Sequence, residues 1–411
     1  MSVKKRMDKR FVKKAVFLLL VVFLPINFLI GLEVFGEPGY LGMRYTENNQ
    51  FWNGWRPFSD NSPWNIPIPA NAPLHSKSTY IIDNLMGTQT AYASVRLGKA
   101  WNPTLHFVDS NLWQSPKYYF KSLSQIYHHS HEDELHTFDP DAINDDITDA
   151  PYCYDPVLTF PENTTDGHMI IVDVQNPNRP TAIEVTKGTT TVTNNMTTCT
   201  TFNYWDLTGT GTVQLRDPVL VLDNWRVAGG RGAGVPIIGG LIRPQEIIEA
   251  MQQSDQTQRY IHHALAFACT KNRHYYPLYP FAYRNDGALE PPSFPNRYPV
   301  EGMQIQLNPA LTEADLSSFG LNEYQKVIAR TLQKYGAIDV ENGGNDNEIV
   351  LAIQNLSRSG ISNCATESNC AIWNELFYGI YNTISTIPRQ YFRVIDTQTT
   401  LNAMYLTNHY E

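Results

Sequence analysis

Residues 229–268, GGRGAGVPIIGGLIRPQEIIEAMQQSDQTQRYIHHALAFA, constrain the fold of this chain more than any other stretch. The glycine-rich loop at its start permits backbone angles closed to other residues and lets a ligand or another backbone approach closely. A short apolar run, Val235 to Ile238, turns at Gly239 and Gly240, and Arg243-Pro244 then opens a helix, since proline suits the first helical position. Ile247, Ile248 and Met251 give that helix an apolar face, with Glu246 and Glu249 near its positive end. The same reading makes residues 260–268 a second short helix carrying His262 and His263.

Around this segment the chain alternates short apolar runs with turns. Residues 169–174 form a strongly apolar strand, and Asn176-Pro-Asn-Arg-Pro leads into a second at 182–185, so the pair predicts a hairpin. Period-2 alternation puts His168 and Asp173 on opposite faces, out of mutual contact. Residues 79–120 read as irregular β, 189–201 as an exposed hairpin, and 204–207, 219–222, 302–307, 348–353 and 391–394 as strands. The clearest helix spans 322–335, where apolar residues recur at helical spacing and Gly336 stands at the C-terminal cap; another helix is expected over 373–384. With 23 Tyr, 26 Pro and 25 Gly in 411 residues, the expected fold is mostly β, a sandwich or jelly-roll-like α+β arrangement with a few short packed helices.

The N-terminus reads as an address. A basic stretch, MSVKKRMDKRFVKK, precedes an apolar run over residues 15–32, so residues 1–36 form a signal peptide or a membrane anchor. Either places the remainder outside the cytoplasm: secreted, periplasmic or at the cell surface. Residues 37–60 are a linker and 61–411 a single β-rich domain. Trp52, Trp55 and Trp64 either stack on sugars or pin the linker to that domain. The net charge of −9 opposes general affinity for nucleic acid. Cys364 and Cys370 are spaced for a small loop disulfide, Cys153 with Cys199 for a second, and Cys269 is left as a buried thiol. Asn163, Asn195 and Asn355 sit in glycosylation sequons.

His128, His129, His131 and His136 precede an acidic run, yet match neither HExxH nor an EF-hand loop; no metal is assigned and no cofactor is named. A GxSxG elbow, a Walker loop and a complete dinucleotide fingerprint are also missing from the sequence. Exposed tryptophans and tyrosines instead suit a carbohydrate-active protein, either a glycoside hydrolase or a polysaccharide lyase. Hydrolysis of a glycosidic bond needs two carboxylates, for which Glu246 and Asp173 are the candidate pair, with Asp166 in reserve. A polysaccharide lyase needs a base, His168 or His263, a proton donor such as Tyr276, and the cation Arg243. Trp205, Trp225, Tyr276 and Asn342 are the candidate substrate contacts. The alternative is a non-catalytic envelope protein that binds glycan or a partner.

The ordered segments SPWNIPI, DGHMIIVD, GVPIIGGLIRPQEI, IHHALAF, EGMQIQLNP, LQKYGAIDVENGG and STIPRQYFRVIDT resemble a group of secreted bacterial proteins that are largely uncharacterised. The resemblance spans about residues 60–396. It implies one globular unit and singles out His168, Asp173, Arg243, Glu246, His263, Tyr335 and Asn342. Chains of that group look like parts of carbohydrate-active or cell-envelope proteins, with no established reaction to carry over.

Overall fold

The structure is a computed structural model describing residues 56–89, 91–97, 102–108, 119–129, 167–173, 180–186, 196–212, 230–273, 278, 280–282, 286–287, 298–344, 347–354, 384–397 and 399–400. The chain divides into two compact units, residues 1–49 and 50–411, and every described residue belongs to the second. The N-terminal apolar segment, Trp52, Trp55, Trp225, Tyr276, Asp166, the expected strand at 219–222, the expected helix at 373–384, all three sequons and both expected disulfides lie outside the described residues or side chains. Among the described residues no helix is long and apolar enough to cross a membrane.

Two sheets organise the domain. The six-stranded sheet contains β1 (Val95–Leu97), β7 (Leu265–Cys269), β8 (Gln304–Leu307), β9 (Ala337–Asn342), β10 (Ile349–Leu351) and β11 (Phe392–Val394), in the order β1-β10-β7-β9-β8-β11. The five-stranded sheet contains β2 (Thr104–Val108), β3 (Tyr119–His129), β4 (Met169–Asp173), β5 (Thr181–Thr186) and β6 (Met196–Asp206), in the order β2-β4-β5-β6-β3. Both sheets are mixed: β7 runs parallel to β9 and antiparallel to β10, whereas β4 runs parallel to β2 and antiparallel to β5. The mostly-β, α+β expectation is thus met.

Local chemistry explains the elements. The β4–β5 hairpin pairs Met169 with Val185 and Asp173 with Thr181, as the apolar runs predict. Helix α4 (Glu323–Lys334), which follows the short α3 (Glu313–Ser318), starts at an Asn322/Gln325 capping box and buries Val327, Ile328 and Leu332. Each such side chain contributes about 1.5–3 kcal/mol when fully buried. Gly336 ends the helix at φ +70°, and its backbone carbonyl accepts the N–H of Leu265 at the start of β7. Helix α2 (Pro244–Gln252) begins at Pro244 and packs Ile247 and Ala250 into the same core as α4.

Two expectations are corrected. Residues 260–268 are not helical: a turn leads into β7, whose apolar run is buried on both faces between β10 and β9. A doubly buried strand carries no period by which to distinguish it from a short helix. Residues 79–120 are not all β, because α1 (Ser78–Met86) occupies their start and buries Ile81, Ile82, Leu85 and Met86. The Thr-rich region at 189–201 is described only from Met196, where β6 begins and continues through the strand expected at 204–207.

Candidate functional site

Two polar centres lie at opposite ends of β7. Before its first residue, His263 sits beside the start of α2. Glu246 reaches back to its own helix N-cap, accepting the Arg243 backbone N–H at 3.1 Å and the Arg243 guanidinium at 2.7 Å. His263 Nε2 lies 2.9 Å from the same carboxylate oxygen, and Nδ1 lies 2.8 Å from the Ala264 carbonyl. Both neighbours are acceptors, so the ring satisfies both only with a proton on each nitrogen. Burial alone would raise the Glu246 carboxyl, but the charges and hydrogen bonds of Arg243 and His263 overcome it and pull its pKa down to about 2. Arg243 is 1% exposed, His263 2% and Glu246 7%. These three predicted residues do meet, in a closed ionic knot. Gly240 (φ +69°) lets the preceding turn pack directly on β7, since a Cβ there would stand 2.4 Å from the Ala266 backbone nitrogen.

At the other end of β7 four carboxyls converge. Asp339 and Glu341 come from β9, with a register shift between them where Val340 bulges opposite β7. Glu301 arrives just before β8, and Asp286 comes from the preceding loop. Asn272 donates to Asp339 at 3.1 Å and to Glu301 at 3.4 Å, and also receives the Cys269 thiol. The glycine-rich loop donates the Gly232 N–H to Glu341 at 2.8 Å, and the Asn342 N–H binds Asp286 at 3.1 Å. The loop packs closely on this carboxyl: a Cβ at Gly232 would fall 2.4 Å from Asp286, which would have to turn aside.

Asp286 also stands within hydrogen-bonding reach of the carboxyls of Glu301 and Glu341. Two ionised carboxylates cannot donate to each other, so these contacts hold only when protons are shared. Burial, then the Asp286 charge, raise Glu341 to about 8 against the opposing pull of the Gly232 N–H and Arg231. Burial first, and the neighbouring acids after it, push Glu301 and Asp339 well above the usual carboxyl range. Burial and Asp339 likewise push the Cys269 thiol up, which makes it inert. The centre opens outward at Asp286, which is exposed, and at Glu341 and Asn342, which are half-buried.

A further acid, outside both centres, links the carboxyl centre to the other sheet. Glu184 of β5 accepts the Trp205 indole N–H at 2.9 Å and the Ile238 N–H at 2.8 Å. Burial raises it to about 7, opposed by the backbone amides of Ile237 and Ile238, then by Trp205 and Arg231. Arg231 faces both Glu184 and Glu341 and donates to the Ile237 carbonyl at 2.9 Å.

The other predicted residues are dispersed. His168 is buried beside the start of β4, and Asp173 stands at the opposite end of that strand, paired with Val108 and Thr181. Asp173 therefore belongs to the five-stranded sheet, while Glu246 is committed to Arg243 and His263. Trp205 is corrected as a sugar platform: it is 2% exposed and its indole N–H is committed to Glu184. Trp64, also 2% exposed, is a core residue and not an exposed platform. Tyr335 is buried with its ring 6.0 Å from Tyr260. Asn342 alone of the predicted residues joins the carboxyl centre. Asp286, Glu301, Asp339, Glu341 and Glu184 were not singled out from the sequence as site residues. The available signal was acids inside an apolar strand (AIDVEN) and acids followed by turn residues (NDG, ENGG). Among the described residues no group of three or more His, Cys, Asp or Glu is arranged to hold a metal ion.

Comparison with protein-family models, with curated protein sequences and with solved structures finds no match to this chain.

Proposed function

We propose that the chain is a carbohydrate-active enzyme, a glycoside hydrolase acting on an extracellular or cell-wall polysaccharide, with Glu341 and Asp286 as its acid–base pair. The observation that carries this reading is a half-buried carboxyl, Glu341, raised to about 8 beside an exposed carboxyl. A carboxylic acid still protonated at neutral pH can protonate a leaving glycosidic oxygen, while its ionised neighbour serves as base or nucleophile. The two carboxyls touch in the free protein, so substrate entry must separate them to about 5 Å or more for glycoside chemistry. Asp286 is the exposed member of the pair and Glu341 the half-buried one, so substrate would reach Asp286 first. Asn342 fixes the backbone end of Asp286, and Arg231 balances the charge left on Glu341.

The direct carboxyl contact favours one second reading, a shared-proton dyad that activates water against an amide bond. A sandwich-like stacking of the two sheets belongs to the main reading, supported by Glu184 in one sheet binding the loop that also packs on β9. So does an N-terminal segment that exports or anchors the protein, as does membership of the secreted bacterial group.

The test is a panel of plant, algal and bacterial-wall polysaccharides incubated with the full chain and with Glu341→Gln. New reducing ends that vanish in the variant support the hydrolase. Unsaturated uronates would indicate a lyase, and peptide release without sugar release would indicate the amide reading. Silence with retention on one glycan would indicate a binding protein.

A further inference from the structure

A cavity of about 620 Å³ opens at the sheet edge formed by β11, beside the first turn of α1 and Asn308, which follows β8. Its size suits a small ligand. Its lining includes Lys77, Arg393, His75, Tyr80, Tyr391 and Asn308, and no acid stands among its described lining residues.

Among the described residues, the cavity's positive charge has no carboxylate partner inside it. Arg393 donates through Nε at 2.9 Å and Nη2 at 2.6 Å to the neutral amide oxygen of Gln306. Lys77 is the N-cap of α1 and makes no side-chain cap hydrogen bond, and the first turn of α1 contains no acid. Of the described acids near it, Asp83 pairs with Arg389 at 2.7 Å, and Asp396 accepts the Thr399 hydroxyl at 2.8 Å while its charge acts on His75. Burial lowers His75, against the pull of Asp396, so the cavity's cationic character comes from Lys77 and Arg393. Tyr80, 42% exposed, and Tyr391 add aromatic surface, and Asn308 adds an amide. Cations, an acid-free helix start, aromatic rings and an amide together describe a receptor for a ring that bears a carboxylate.

We propose that this cavity is an accessory binding site for an acidic sugar, its carboxylate seated between Lys77 and Arg393 and its ring against Tyr80 and Tyr391. The anion preference stands on the cavity alone; the sugar ring rests on the carbohydrate reading above. The site shares no residue with the Asp286–Glu341 pair.

Calorimetric titration of the full chain with glucuronate, glucose and inorganic sulfate tests the assignment, on the native protein and on Lys77→Ala, Tyr80→Ala, Arg393→Gln and Glu341→Gln. Glucuronate should bind, glucose at least about tenfold more weakly, and Lys77→Ala or Arg393→Gln should each weaken glucuronate about tenfold, a charge-assisted hydrogen bond's worth. Tyr80→Ala should weaken glucuronate and leave sulfate unchanged. Glu341→Gln should leave all three affinities intact, which keeps failure of the catalytic reading separate from failure of this one. Glucuronate binding unchanged in Lys77→Ala and Tyr80→Ala, both at the rim, would overturn the proposal. Sulfate binding as tightly as glucuronate, with no effect of Tyr80→Ala, would overturn the sugar part.

Discussion

At the two ends of β7 the protein buries carboxyls in opposite ways. Glu246 is closed off beside Arg243 and His263 and is pulled down to about 2, whereas Glu341 lies among Asp286, Glu301 and Asp339 and is raised to about 8. Burial pushes both upward, so the difference comes from their neighbours. Cations turn a buried acid into a fixed structural anion. Other acids turn it into a proton reservoir. The first centre is also sealed, while the second opens at Asp286 and Asn342. Chemistry needs a proton that can leave and a path for substrate, and the second centre offers both.

The largest expected contrast is in turnover. Glu341→Gln should lower kcat about a thousandfold, the scale of a lost general acid, while the protein stays folded by circular dichroism. Comparable loss of turnover from Glu246→Gln, with the fold kept, would erase the distinction between the two ends.

Stability should show the reverse. Glu246→Ala strands Arg243 and His263 in the core and should cost about 3–5 kcal/mol in urea unfolding at neutral pH. Asp286→Asn relieves crowding of like charges and should be neutral or stabilising in the same assay. Gly240→Ala should cost about 2–3 kcal/mol, combining a positive φ with a clash against the Ala266 backbone.

The smallest effect is on the pH profile of stability. Glu246, depressed in the fold, contributes stability above its unfolded value of 4.5 that is lost as pH falls towards about 2. Glu341, raised in the fold, contributes stability that is fully present below 4.5 and is lost as pH climbs through about 8. Glu341→Gln should flatten the alkaline limb and leave the acid limb, and Glu246→Gln the opposite. Urea midpoints measured across the range check both.

Much of the fold is legible in the sequence where local signals agree. Helix α4 shows its capping residues, its apolar face and Gly336 in order; α2 shows Pro244 and Glu246; the β4–β5 hairpin shows two apolar runs around a turn. Helix α1 had a signal too, since Ile81, Ile82, Leu85 and Met86 recur at helical spacing, but it was submerged in an irregular stretch. β7 could not be read, because an apolar run between two strands has no period. The site was harder still. Arg243 and Glu246 are close in sequence and His263 is 17 residues from Glu246, so that knot was visible as a cluster. The carboxyl centre draws on residues 232, 272, 286, 301, 339 and 341, which only the placement of β9 between β7 and β8 brings together. Glu341 in particular reads as a turn acid until Asp286 is placed against it.

The central claim is that Glu341 keeps its proton at neutral pH because it is buried and other acids surround it. Infrared difference spectra of the full chain between about pH 6 and pH 9, for the native protein and Glu341→Gln, test it directly. Loss of a protonated carboxyl band centred near pH 8, missing from the variant while the Glu184 signal near pH 7 remains, is the predicted result. A native spectrum in which Glu341 is already ionised at the start, titrating near the ordinary 4.5 instead, would contradict the account.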